Sequence, residues 1–401
     1  MKILVFSTVF PLPARGACEQ DRSAGLWQLQ RMGHDVHLAI FLGKWQNPAQ
    51  VKILAREAGW ETDWLPYPHK LDLGLRRWWD CLREIAFLDG ATYQHTLSSA
   101  RNFIQEQIEF FLPDVIYADY TFLWPIAALA KKIHIPVIIR SHNFEPNHML
   151  DENGHSLSNY IRYVGKYRSE HIALRTATTF GAITPREERI YKRWDDQNKV
   201  SLLPLRGLPS VLRPPRKPNN KKILDVFFWG STYNVGHNYA ALKMVAEKIV
   251  PQVRRHAPEK FRFHLLGGKP PQKIATLAGS DLIVHGFISN LENFLDEMDI
   301  ALIPSSRGWG MQQKIFEPLA RGFPTITNQR GLAGYPFEDK IHCMTASSPN
   351  DFAQLLLELR SSKLRQQLSE HSSIKSAELF SQGQLDRAMS SLIDRAVRNP
   401  P

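Results

Sequence analysis

The stretch Ile303-Pro-Ser-Ser-Arg-Gly-Trp-Gly-Met-Gln-Gln-Lys-Ile-Phe-Glu-Pro-Leu-Ala-Arg-Gly-Phe-Pro-Thr-Ile-Thr327 decides how the rest of the chain is read. An apolar strand ends near Pro304. A loop follows with Gly308 and Gly310, and a helix is expected from about Met311 to Arg321. Gly322 supplies the left-handed cap of such a helix, and Pro324 opens the next strand. A glycine-bearing loop that feeds a helix N-terminus presents backbone N–H groups and the positive end of the helix dipole to an anion. Lys314 in the first turns adds a full charge, and Glu317 projects from nearly the same face. A carboxylate takes two hydrogen bonds at once, which suits the vicinal hydroxyls of a ribose. Dipole, cation and carboxylate in this order fit a nucleoside diphosphate. On pattern alone they fit a helix cap with an i,i+3 salt bridge equally well.

Working outward, both halves of the chain alternate apolar strands with amphipathic helices. Residues 3–7 and 36–42 flank a helical stretch in which Leu26, Leu29 and Met32 recur three apart. Strand, helix, turn and strand make a βαβ unit with parallel strands and a right-handed crossover. Further apolar runs at 114–118, 137–139, 179–183 and 200–203 continue the doubly wound pattern. The pattern breaks at 204–222, where five prolines precede a basic tail that no packed helix tolerates. It restarts at 225–229 and runs to about residue 362. The expected division is therefore 1–203, a linker at 204–222, a second α/β domain at 223–362 and a helical segment at 363–401. That last segment is expected to pack back toward the N-terminal domain.

Composition bounds the function. The 401 residues are 43% hydrophobic and 22% charged, which excludes a disordered chain, a fibre or a coiled coil. No apolar run reaches the roughly 18 residues of a spanning helix. The first seven residues lack a signal-peptide cleavage pattern and read as a buried strand. Three distant cysteines form neither a disulfide framework nor a metal spacing, so a reducing cytoplasm is expected, with no structural metal. Fifty Lys and Arg against 39 Asp and Glu leave +11, which fits an anionic partner. Residues 69–111 interleave Leu71, Leu73, Leu75, Trp78, Trp79, Leu82, Ile85 and Phe87 with Lys70, Arg76, Arg77 and Arg83. Two readings stand: a basic amphipathic surface for an anionic membrane, or a helix pair packed on the sheet. No basic–aromatic nucleic-acid motif is present, so that partner is not expected.

The pattern Gly310-Met311-x-x-Lys314-x-x-Glu317-x-Leu319-Ala320-x-Gly322-x-Pro324 resembles the donor-site signature of glycosyltransferase family 4, a retaining group with the GT-B fold. Phe228-Trp229-Gly230 followed by Gly236-His237-Asn238 resembles the first strand, loop and helix of that family's C-terminal domain. His285-Gly286-Phe287 resembles its base-proximal turn, and Arg140-Ser141-His142-Asn143-Phe144-Glu145 resembles an N-terminal segment of one subgroup. The resemblance implies two Rossmann-like doubly wound domains facing a cleft. It implies metal-independent, retaining sugar transfer to a glycan, lipid-linked or other acceptor, of the kind used in polysaccharide biosynthesis, in the cytoplasm or at a membrane periphery. The nucleotide sugar is then a co-substrate and no cofactor is needed. Glu317 matches the ribose-binding Glu, Lys314 a basic phosphate position, and Gly310 and Met311 the loop facing the donor.

Gly230, Ser231 and Asn238 fall among the donor contacts implied by the family, and Gly16 falls in the loop beside the diphosphate. His142 is the candidate for contact with sugar or acceptor; a strand-end His capping backbone groups is its alternative. The chain has Trp309 where the family's first motif Glu stands, and Gln312 where a subgroup has Arg. Phosphate charge is therefore expected to fall on Lys314, the helix dipole and Arg307 or Arg140. An impaired nucleotide-sugar-binding protein and a sugar-nucleotide epimerase of the same fold are the alternatives.

Overall fold

A computed structural model of the chain describes residues 1–66, 74–195 and 197–401. The chain forms two compact units, Met1–Gly207 with Gly383–Pro401, and Leu208–Gln382. Lys70, Leu71 and Leu73 lie outside the described residues.

The first unit carries a seven-stranded sheet in the order β3-β2-β1-β4-β5-β6-β7. Its strands are β1 (Lys2–Ser7), β2 (Asp35–Leu42), β3 (Glu61–Pro66), β4 (Val115–Ala118), β5 (Val137–Arg140), β6 (Thr179–Ala182) and β7 (Val200–Leu202). Neighbouring strands run parallel. Ile3, Leu4, Val5 and Phe6 are all buried, because crossover helices cover both faces of a parallel sheet and alternation is lost. Helix α1 (Ala17–Arg31) makes the first crossover. Helices α2 (Gly74–Arg83) and α3 (Leu157–Thr176) follow. The last helix, Gln382–Arg398, sends Met389, Leu392, Ile393 and Ala396 into the core formed by Ile3, Val5, Leu26 and Leu38.

The second unit repeats the scheme with six strands in the order β10-β9-β8-β11-β12-β13. These are β8 (Leu224–Thr232), β9 (Phe261–Gly268), β10 (Leu282–Gly286), β11 (Ile300–Ile303), β12 (Thr325–Thr327) and β13 (Met344–Thr345). Between β11 and β12 lies helix α4 (Gln313–Ala320). Each sheet grows outward from its first strand in both directions. Crossovers on the two sides of that strand leave a crevice at the carboxyl ends of β1/β4 and of β8/β11, where α/β sheets bind ligands. Two parallel-stranded α/β units of this kind make the GT-B fold class.

Two boundaries differ from the sequence expectation. The division falls at Gly207/Leu208, inside the proline-rich stretch. Residues 208–222 are strapped to the second unit. The Arg216 guanidinium lies 4.1 Å from the Phe323 ring centroid, the Arg216 backbone N–H donates to Ser369 Oγ at 2.7 Å, and Arg365 donates to the Asn219 carbonyl. The helical segment 363–401 is likewise shared: Ser362–Phe380 stays with the second unit, and only residues from Gly383 onward join the first. Among the described residues no helix is long and apolar enough to cross a membrane.

One buried acid in the first unit bears on stability. Glu170 on α3 accepts from Thr121 Oγ1 at 2.8 Å and Tyr191 Oη at 2.9 Å, with no cation among these partners. Burial, with the Glu145 charge adding to it, pushes its carboxyl up to about 8. A folded-state pKa above the unfolded one means the folded protein holds the extra proton. The stabilisation is complete below about pH 4.5 and is lost as pH rises toward about 8. Glu170→Gln cannot ionise, so its melting temperature should gain on the wild type steadily from pH 5 to pH 8. Parallel melting curves across that range would show the acid to be charged already.

Candidate functional site

In the second unit the crevice is built by the ends of β8 and β11. Ser305 Oγ donates to Gln312 Oε1 at 2.7 Å, and Gln312 Nε2 donates to the Arg307 carbonyl at 2.9 Å. Arg330 ties the same loop from outside through the carbonyls of Ser306 and Gly308. Gly308 and Gly310 adopt φ of 91° and 76°, the left-handed region that costs other residues strain. Gln312 therefore braces the loop with both ends of its amide; the structure gives it that task where a substrate contact was expected. Its extended backbone also delays the start of α4 to Gln313, two residues past the expected Met311. Met311 is buried, and Arg307 is exposed.

Lys314 is where the predicted donor residues converge. Its Nζ donates to Asn238 Oδ1 at 2.9 Å, and Asn238 Nδ2 donates to the Thr232 carbonyl at 3.0 Å. Gly230 sits against Asn238 and Tyr233, and Ser231 is exposed beside it. One ammonium group and one amide thus join the first turn of α4 to the end of β8. Glu317, 8% exposed, accepts from Arg321 Nε at 3.0 Å and from Gln313 Nε2 at 2.9 Å. Arg321 is held in turn by Glu292 at 2.7 and 2.8 Å. The carboxylate is fixed in direction by these donors, and a carboxylate has about four acceptor positions in all.

Pro318 stands inside α4 and has no N–H. The carbonyl four residues back, that of Lys314, therefore loses its helical donor. Trp229 Nε1 at the end of β8 donates to that oxygen at 2.8 Å. The indole restores the missing bond and pins the turn that carries Lys314.

A second chain of groups crosses the sheet edge. Asp225 Oδ1 meets His264 Nε2 at 3.0 Å, and His264 Nδ1 meets His285 Nε2 at 2.9 Å. The carboxylate requires a proton on His264 Nε2. Burial and the neighbouring His264 hold His285 below the usual imidazole range. Phe287, in the turn compared with the base-binding one, is exposed.

In the first unit the corresponding crevice is filled by buried charge. Arg140, fully buried, donates to Asp21 at 2.6 and 3.2 Å and to the carbonyls of Leu203 and Pro204. Arg206 bridges Asp21 at 2.8 Å and Asp119 at 3.2 Å, and Arg22 lies 3.3 Å from Asp119. Burial alone would raise both carboxyls. The Arg140 and Arg206 guanidiniums beside Asp21, and Arg206 with His142 beside Asp119, hold them well below the usual carboxylate range instead. Arg140 is therefore a fold-holding cation, not the phosphate ligand the sequence suggested; its side chain is spent before any ligand arrives. Gly25 lets Arg206 lie against α1, where a β-carbon would overlap the guanidinium.

His142 touches this network at its rim, 7% exposed. Its Nε2 lies 3.1 Å from both the Asp119 carboxylate and the Asp119 carbonyl. Two acceptors require the proton on Nε2, which leaves Nδ1 as the acceptor. Burial lowers its basicity more than Asp119 restores it, so the ring is neutral at pH 7. Tyr120 stacks on it at 5.0 Å. Gly16 caps α1, and the Glu19 carboxylate lies against it. The dipole end expected beside a diphosphate already meets a negative charge there. Asp21, Asp119 and Arg206 had no local signal, and the motif that holds Trp229 does not announce its bond to Lys314: each matters through a partner distant in sequence.

Two such units, with the loop of β11 and α4 facing the reversal of strand order, define an α/β protein of the GT-B class. Residues 224–362 match the family model of glycosyl transferases group 1. That match, on a GT-B fold, supports a glycosyltransferase. No curated protein sequence matches the chain. Among solved structures it is similar to HepE from Anabaena in complex with UDP, at 12% identity and TM-score 0.66, over 98% of this chain and 100% of that one. It is similar to the sucrose-phosphate synthase of Thermosynechococcus elongatus, at 14% identity and TM-score 0.66, over 98% of each chain. TarM of S. aureus, solved with fondaparinux, α-GlcNAc-glycerol and UDP, aligns at 10% identity and TM-score 0.68, over 98% of this chain and 99% of that one.

The Trp229–Lys314 bond is open to a double-mutant cycle. Trp229→Phe should cost about 1–3 kcal/mol of stability by stranding a part-buried carbonyl. In a Pro318→Ala background the helix regains its own donor, and the same change should cost at least 1 kcal/mol less, on the order of one hydrogen bond. Equal costs in both backgrounds, read from urea unfolding, would place the effect in indole packing alone.

Proposed function

We propose that the protein is a retaining glycosyltransferase that moves a sugar from a nucleoside-diphosphate donor to a glycan or lipid-linked acceptor. The observation that carries this reading is the Lys314–Asn238 pair at the start of α4, set beside the oriented Glu317 carboxylate. The departing diphosphate gains negative charge as the anomeric bond breaks. The α4 dipole and Lys314 are the groups that would stabilise that charge, with no metal required. Glu317 would take the ribose hydroxyls with its remaining acceptor positions. On the acceptor side, His142 Nδ1 is the group suited to receive a hydrogen bond from a sugar hydroxyl. UDP in the HepE and TarM structures supports a uridine donor as the first to try. Three free cysteines, Cys18, Cys81 and Cys343, fit work in a reducing cytoplasm.

The donor is found by thermal shift against UDP-, GDP-, ADP- and dTDP-sugars, since a ligand of the folded state alone raises its stability. The ligand giving the largest shift should also release free nucleoside diphosphate in the enzyme's presence. No shift and no release with any of the four would remove the transferase reading. Lys314→Ala and Glu317→Ala should each lower kcat/KM by about 100-fold or more, roughly 2.7 kcal/mol of transition-state stabilisation, with melting temperature held near wild type. Wild-type rates in both would move the donor elsewhere.

A further inference from the structure

The first unit turns a set of large apolar side chains outward. On α2, Trp78, Trp79 and Leu82 are 70%, 68% and 77% exposed; on α3, Leu157 is 79% exposed, with Ile161 and Val164 about half exposed. These belong to one surface. Gly165 of α3 abuts the Ile85 carbonyl and the Leu88 side chain, so closely that a β-carbon there would overlap Leu88. One turn on, Arg168 grips Glu84 with two bonds of 3.0 and 3.1 Å. Ile161 and Val164 lie one turn or less from that seam, on the helix that packs against residues 85–88, the segment that follows α2. Monomeric surfaces seldom leave so many large apolar groups together without a partner.

Charge selects the partner. Arg76, Arg83 and Arg162 are exposed on the same two helices. Arg76, Trp79 and Arg83 recur at helical spacing, with Trp78 and Leu82 on the adjoining stripe. The acids nearby are engaged within the unit: Asp80 accepts from Tyr93 Oη at 2.6 Å, Glu84 holds Arg168, and Asp89 pairs with Lys166 at 3.3 Å. What remains toward solvent is tryptophan, leucine and arginine. A second copy of the chain would bring arginines against arginines across a two-fold axis. A bilayer with anionic headgroups meets both the apolar and the cationic groups at once.

We propose that this α2–α3 face docks the chain on an anionic phospholipid bilayer. Trp78, Trp79 and Leu82 enter the boundary between headgroups and acyl chains, and Arg76, Arg83 and Arg162 pair with lipid phosphates. Vesicle binding needs no sugar transfer, so this inference and the transferase reading fail separately.

The test is cosedimentation of the full chain with phosphatidylcholine vesicles, with and without about 30% phosphatidylglycerol, at low salt. Wild type should bind the anionic vesicles about tenfold more tightly than the neutral ones, and added salt should weaken that binding. Trp78→Ser with Trp79→Ser, and separately Arg76→Glu with Arg83→Glu, should each lose about tenfold in affinity at unchanged melting temperature. Equal binding to both vesicle types, or variants that bind like wild type, would overturn the proposal. A dimer in light scattering that the tryptophan variant dissolves, without vesicle binding by wild type, would assign the face to a second copy instead.

Discussion

At Lys314 the chain gives up a helical hydrogen bond and recovers it from a neighbouring strand. Pro318 removes the donor, and the Trp229 indole replaces it at 2.8 Å. A carbonyl shielded from water and left without a partner is costly, so the bond fixes α4 against the end of β8. The same residue that loses the backbone bond sends its ammonium to Asn238, one turn into the helix that follows β8. Backbone and side chain of Lys314 are thus both tied to the strand–loop–helix begun by β8. The cation is therefore held at the reversal of strand order, where a parallel sheet leaves its crevice.

The two units use charge in opposite ways. In the second, a cation and an oriented carboxylate sit at a helix start beside partly exposed loops, an arrangement suited to an incoming anion. In the first, three arginines pair with two aspartates inside the crevice, and their guanidiniums keep the acids ionised despite burial. Breaking one member of such a network strands a charge in low dielectric, which makes the cluster a structural device. His142 is the group through which this rigid network reaches the surface. Its tautomer is set by Asp119, so which ring nitrogen keeps its lone pair is decided by a residue 23 positions away.

Much of the fold was legible because its signals are periodic. Two restarts of strand–helix alternation, a proline-rich break, and the glycine-capped helix before Pro324 are local patterns, and local patterns are written in sequence order. The placement of the candidate site residues was legible in the same way: Lys314, Glu317 and Asn238 fall on helices whose starts are marked by glycine and loop residues. Arg140 and Gly16 misled because their motifs hold whether or not the charge is already used. Nothing next to Arg140 in the chain announces that Asp21 waits across the sheet. Gln312 misled for a related reason, since an amide beside a loop looks the same whether it faces a ligand or ties the loop shut.

The sequence by itself determined the α/β class, the doubled architecture and the placement of a positive helix start next to an acid, because spacing along the chain dictates which side chains share a helix face or strand edge. Tertiary structure decided which of those side chains remain available. It spent Arg140 on Asp21, gave Gln312 to its own loop, set Glu317 in direction through Arg321, and left the tryptophans of α2 in solvent. Burial and pairing join residues far apart in the chain, and no one-dimensional pattern records whether a charge has found its partner.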